Sequence, residues 1–265
     1  MKKFISILLG MLLLILLGAC GRQGESSLEP HSQTSNSQAS ASTQKAPNTP
    51  SDIVEFTDKL LENAVRNAMQ KPTGDITLKE AQAVTSLNLS NSSFDDMTSK
   101  NGGIRDISAL KHFTGLRELD ISFNQISNLT PISSLSSLET LVFSGTWVED
   151  ISPLKDLPNI KCLIFCWMRG ANGTPGGIEN LDALSGLKNL EMLDAKNSGI
   201  KDVKALADLP KLWEVQLNEN VITDVSPLAK IKNIKALFLS GNPNAEYGLL
   251  KDIYGQLDGK DFEIK

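Results

Sequence analysis

Histidine is nearly missing from this chain, with His31 and His112 the only two among 265 residues. Neither stands beside an obvious nucleophile, so an acid–base or nucleophilic triad finds little support. Cysteine is as scarce. Besides Cys20, near the N-terminus, only Cys162 and Cys166 occur, which excludes a disulfide framework. A single Cys-x₃-Cys pair with no second pair of ligands is a poor zinc signal. Glycines cluster at Gly170, Gly173, Gly176 and Gly177, but no Gly-Lys-Ser/Thr follows them, so they make no phosphate loop. No catalytic, cofactor or metal site is expected.

A long apolar run occurs once, at the start. Lys2 and Lys3 precede an uncharged stretch over 4–17, which ends in Leu17-Gly18-Ala19-Cys20. Small residues before a cleavage point mark a secretory signal peptide. The run is short for a spanning helix of roughly 20 residues, and no charged stop-transfer cluster follows. The small residues followed by one Cys resemble the lipobox of bacterial lipoproteins. That resemblance implies removal of residues 1–19 and a diacylglyceryl group on the Cys20 thiol. It places the chain on the outer side of a bacterial cytoplasmic membrane, held there by lipid alone. Four Asn-x-Ser/Thr triplets, at Asn88, Asn91, Asn128 and Asn172, are then coincidental.

Positive charge is also in short supply. Removing Lys2 and Lys3 from 26 bases leaves 24 against 31 acids, a formal −7. Such a balance disfavours nucleic acid and anionic lipid surfaces as partners. Residues 20–51 contain almost no large apolar side chains and are expected to form a disordered linker. A flexible coil of that length spans roughly 30 Å.

What the chain does have is repetition. Leu116, Leu138, Ile160, Leu190, Leu212 and Ile234 align at steps of 22, 22, 30, 22 and 22 residues. Each unit runs Leu-x-x-Leu-x-Leu, an Asn-like position, Ile, Asp-Ile-x-Pro-Leu and Leu. The unit at Leu212 shows Val215, Leu217, Asn220, Ile222, Asp224, Val225, Pro227, Leu228 and Ile231. An earlier unit starts at Val84. The period and pattern are the leucine-rich-repeat signature. Alternate inward residues form a short strand, strands stack in parallel, and each unit buries its apolar edges only against its neighbours. The predicted fold is an α/β solenoid: a horseshoe of repeats over 84–242, with the parallel sheet on its concave face. A helical N-terminal cap over 52–83 and a short C-terminal cap over 243–265 close it.

The caps show their own signals. Phe56, Leu60, Leu61, Ala64, Val65, Ala68 and Met69 share a helical face, with Thr57 or Asp58 as cap. Thr77 and Glu80 spell a capping box. Leu249, Leu250, Ile253, Tyr254 and Leu257 fit a closing helix, with an edge strand at 262–264. The Asn-like position holds Asn124, Asn220 and Asn242, but Thr146, Met168 and Ser198 elsewhere, an interrupted ladder.

The 22-residue step, Asp150-Ile151-Ser152-Pro153-Leu154, its variant from Asp224 to Leu228, and the flanking Thr77-Leu78-Lys79-Glu80 resemble bacterial internalin-type repeats. The resemblance covers about 52–242. It implies a concave face that binds proteins and leaves the ligand open.

Outward strand positions are polar at both ends: Glu118, Asp120 and Ser122 on one side, Glu214, Gln216 and Asn218 on the other. Between them come Val142, Cys162, Ile164, Cys166, Trp167 and Met192, with Trp147 near enough to join. Asp194 and Lys196 limit this stripe, while Phe238 stands apart from it. An apolar stripe on a solvated face marks a partner site, and Trp is a frequent anchor. Two bland readings stand beside it: the eight-residue insertion, lying within 169–177, covers the stripe, or Trp167 turns inward. Cys162 and Cys166 lie about 13 Å apart along a strand, too far for a disulfide. They read as small semi-apolar surface residues rather than a redox pair. The expected function is a surface-displayed monomer that binds a protein or peptide. A structural envelope protein binding peptidoglycan or another wall polymer is the alternative, and a thiol-dependent redox protein a distant third.

Overall fold

The structure is a computed structural model that describes residues 52–91, 102–169 and 176–264. These lie in a compact unit of residues 48–265. The expected signal peptide, Cys20 and the linker fall outside the described residues, as do residues 170–175 of the insertion and Asn172. Among the described residues, no helix is long and apolar enough to cross a membrane.

Among the described residues, eight strands form a parallel sheet in chain order. They are β1 Ser86–Asn88, β2 Glu118–Asp120, β3 Thr140–Val142, β4 Cys162–Ile164, β5 Met192–Asp194, β6 Glu214–Gln216, β7 Ala236–Phe238 and β8 Gly259–Lys260. Their register repeats the period of the sequence: Glu118 pairs with Thr140, Thr140 with Cys162, Cys162 with Met192, and Met192 with Glu214. The 30-residue step is thus absorbed without shifting the sheet. Gly176 donates its amide to the Met168 carbonyl at 2.9 Å, which closes the insertion where it began. That closure needs glycine on both sides of a contact. A Cβ on Gly199, whose φ is +80°, would meet the Gly176 Cα at 2.8 Å.

After each strand from β2 to β7 the chain turns through one left-handed residue. Phe123, Gly145, Trp167, Asn197, Glu219 and Gly241 occupy this column, with φ from 50° to 79°. The amides of the first five bond to carbonyls of the next repeat. The following position holds the Asn ladder. Asn220 is 2 % exposed, and its Nδ2 donates to the carbonyls of Ala195, Leu217 and Asn218. Its Oδ1 accepts the amides of Ser198 and Ile200 at 3.0 Å. Asn124 and Asn242 also bridge repeats, Asn124 donating to Leu89 and Ile121 and accepting from Ile104, and Asn242 donating to Leu217 and Leu239 and accepting from Ile222. The Ser198 hydroxyl still reaches back to the Phe165 carbonyl, whereas the Thr146 hydroxyl donates within its own turn, to Phe143. The gap read from the sequence is therefore partly filled by hydroxyls.

The return limb is 3₁₀ rather than α-helical, as at Ser152–Asp156 and Ser226–Lys230, each with proline in its first turn. An Asp or Asn starts every limb. Asp106, Asn128, Asp150, Asn180, Asp202 and Asp224 each accept the amide two residues on. That is an Asx turn, and it explains why the pattern tolerates either residue. Between sheet and return limb the apolar columns are almost entirely buried. Phe143 and Phe165 stack with ring centroids 5.1 Å apart, and Ala195 follows them in the next repeat.

The N-terminal cap contains α1 (Lys59–Ala68) and α2 (Leu78–Ala83). Asp58 caps α1 by accepting the amides of Leu60 and Leu61, and its second oxygen accepts those of Arg105 and Asp106, which ties the cap to the repeats. The buried face of α1 is narrower than its sequence suggests. Leu61 and Val65 are buried, but Leu60 is 41 % exposed and Ala68 is also exposed. The capping box of Thr77 and Glu80 is present in α2. At the C-terminus a 3₁₀ turn runs into α3 (Lys251–Tyr254). The edge strand lies earlier than 262–264, at Gly259–Lys260, because Asp261 caps the sheet by accepting the amides of Leu239 and Ser240. Phe262 instead packs between Tyr247 and Tyr254.

Asn220→Ala strands these buried backbone groups and is expected to cost at least ~2 kcal/mol, read as a lower urea midpoint. Acid should act on the N-terminal cap. Lys71 beside Glu80, helped by the Thr77 amide, holds this carboxyl at about 2, below its ordinary 4.5. A depressed carboxylate contributes stability above its unfolded pKa and loses it as pH falls through the folded one. Denaturation midpoints taken at intervals should therefore drop between about pH 4.5 and 2. Glu80→Gln keeps the capping geometry and should flatten part of that drop.

Candidate functional site

Strand alternation sends Leu119, Leu141, Leu163, Leu193 and Val215 into the core, and their neighbours to the opposite, concave face. Register then brings the sequence-predicted residues together. Val142 pairs with Ile164, and Cys162 with Met192. The Cys162 Sγ lies 3.7 Å from the Met192 Sδ. Cys166 sits two residues past the end of β4, and its Sγ donates to Asp194 Oδ1 at 3.0 Å. Val142, Cys166 and Met192 are buried, yet none belongs to the core cluster. They form a second apolar cluster on the other side of the sheet, with Cys162 and Ile164 half-buried among them.

The two tryptophans separate. Trp167 lies in the left-handed turn column, 44 % exposed at φ 54°. A bulky residue in that conformation costs about 1–2 kcal/mol. Trp147 lies in the limb beyond the turn, where its amide donates to the Ile126 carbonyl. It shares the column of Gln125 and Val221 rather than a strand position. Phe238, set apart in the sequence, packs against Gly259, whose missing side chain leaves room for the ring.

The rim of this cluster is acidic. Glu118 and Asp120 pair with Thr140 and Val142 on one side. On the other, Asp194 pairs with Ile164, and Glu214 with Met192. Burial pushes the Asp120 carboxyl above its ordinary range. Ahead of the strands, Arg117 and Lys161 both pair with Glu139, whose carboxylate offsets part of their positive charge. Glu191 was missed by the sequence reading because it precedes its strand and so falls outside the alternation.

The surroundings of both thiols disfavour the thiolate. Both are free. Burial, reinforced by Glu214, Asp194 and Glu191, pushes the Cys162 thiol up to about 12. Burial and Asp194 push Cys166 up as well. No group of acidic, His or Cys side chains capable of holding a metal occurs among the described residues.

Comparison with known proteins agrees with this geometry. The Leucine Rich Repeat family model matches residues 115–138, one unit of the array. An internalin of Listeria monocytogenes superposes with a TM-score of 0.59 at 24 % identity, over 79 % of this chain and 63 % of that one. Internalin C2 of the same organism gives 0.60 at 26 % identity, over 79 % of this chain and 94 % of that one. The fold is a leucine-rich-repeat solenoid. The chain spans less than two thirds of the first internalin's length and nearly all of the second's. No curated protein matches it by sequence.

Alkylation tests the state of the thiols. At pH 8 both cysteines should react at least ~100-fold more slowly in the folded protein than in urea, since only the thiolate attacks. Rapid labelling of Cys162 in the folded state would reopen a redox role.

Proposed function

We propose that this protein is a surface-displayed binding module that holds a protein or peptide on the concave face of its repeats, tethered by lipid at Cys20 outside a bacterial cytoplasmic membrane. One observation carries the reading: the second apolar cluster across β3, β4 and β5, separate from the core. A solvated sheet face normally presents polar side chains, and apolar contiguity there favours association. Trp167, exposed and held in a costly backbone conformation beside the cluster, supports it, since such strain gathers at functional sites. The internalin-like fold is consistent with a binding role.

The lipid tether rests on the leader and Cys20. Cys20→Ala should move the protein from the membrane fraction to the medium. Trp167→Ala combined with Ile164→Ser removes the anchors on the face turned away from the core, so the denaturation midpoint should shift little. Cross-linking to envelope and host-surface extracts should give a partner with the native protein and at least ~10-fold less with this variant. Equal capture by both forms, together with retention on isolated cell wall, would favour a structural role in the envelope instead.

A further inference from the structure

The outward positions of β2 to β6 and the residues that extend them carry four acids, Glu118, Asp120, Asp194 and Glu214, and one base, Lys196. The acids are not scattered. They bracket the apolar cluster, two on β2, one on β5 beside Ile164 and one on β6 beside Met192. We infer that the occupant of this face is a segment with apolar side chains at its centre and a Lys or Arg on each side of them. The inference rests on the concave face being the binding surface and adds the chemistry of what fits there.

Apolar anchors would fill the centre, over Val142, Ile164 and Met192, and exclude water. Excluding water strengthens the attraction between the rim carboxylates and cations brought beside them. The acidic field already reaches the centre, because Glu214, Asp194 and Glu191 all disfavour ionisation of Cys162. An acidic segment would meet repulsion on both sides, and an uncharged one would leave the rim unpaired. Geometry limits the spacing. Strands lie about 4.8 Å apart, so β2 to β5 is roughly 14 Å and β2 to β6 roughly 19 Å. An extended segment crossing the strands, at about 3.3 Å per residue, would place its two cations four to six residues apart.

The probe is a library of random twelve-residue peptides displayed on phage. It is selected on the chain from residue 20 onward with Cys20→Ala, at low and at high salt. The expected binders share apolar residues flanked by Lys or Arg. Ile164→Ser should weaken them at least ~10-fold, and so should Glu118→Lys with Glu214→Lys, each variant having an unchanged denaturation midpoint. Their association should slow as salt rises. Binders lost with Ile164→Ser but neutral or acidic in their flanks, or indifferent to the charge reversal, would overturn this inference and leave the concave reading in place. Binders that ignore Ile164→Ser, or a library that yields none, would overturn both.

Discussion

Asn220 satisfies five backbone groups with one side chain, donating to the carbonyls of Ala195, Leu217 and Asn218 and accepting from the amides of Ser198 and Ile200. The rest of the solenoid depends on such contacts. A chain that reverses direction inside an apolar stack must leave peptide groups where no water reaches them, and each unsatisfied group costs about 1–3 kcal/mol. A planar amide at the turn meets both donors and acceptors and reaches into the preceding repeat while doing so. Once turns are pinned this way, the strands fall into register and the leucines close on one another. The Asx turns at the start of each return limb do the same work on the solvent side with a carboxylate or an amide.

Much of this was legible before any coordinates. The steps between Leu116, Leu138, Ile160, Leu190, Leu212 and Ile234 are the steps of the strand register, because parallel stacking allows no other alignment of a period that buries one edge on the next. The capping box at Thr77 and Glu80 was equally plain, being a local pairing. What escaped depended on neighbours distant in sequence. Leu60 looked like core but lies on the exposed side of α1. The last strand settles at Gly259–Lys260 because Asp261 caps Leu239 and Ser240. The left-handed column was half visible in Gly145, Asn197 and Gly241, and masked where Phe123, Trp167 and Glu219 fill it.

The candidate site was legible as a list and less so as a surface. Alternation places Val142, Cys162, Ile164 and Met192 on one face, and register makes them neighbours. Their exposure is lower than alternation alone suggests, since Val142 and Met192 are buried. Trp147 was grouped by sequence nearness, yet the turn carries it onto the next limb. The cysteines gain meaning only in three dimensions. Burial, reinforced by the carboxylates of Glu214, Asp194 and Glu191, pushes the Cys162 thiol up, which no spacing rule reveals.

The closure of the insertion at Met168 and Gly176 separates two kinds of length in this molecule. Residues within the strand, turn and return limb are counted strictly, because adding one would move a column off its partners. Residues between 168 and 176 are not held to that count, because Met168 and Gly176 already meet through a peptide hydrogen bond. That contact lies one residue from Trp167, at the margin of the concave cluster. The solenoid therefore offers a place where sequence can lengthen, shorten or change its chemistry beside the concave face while every repeat behind it keeps its alignment.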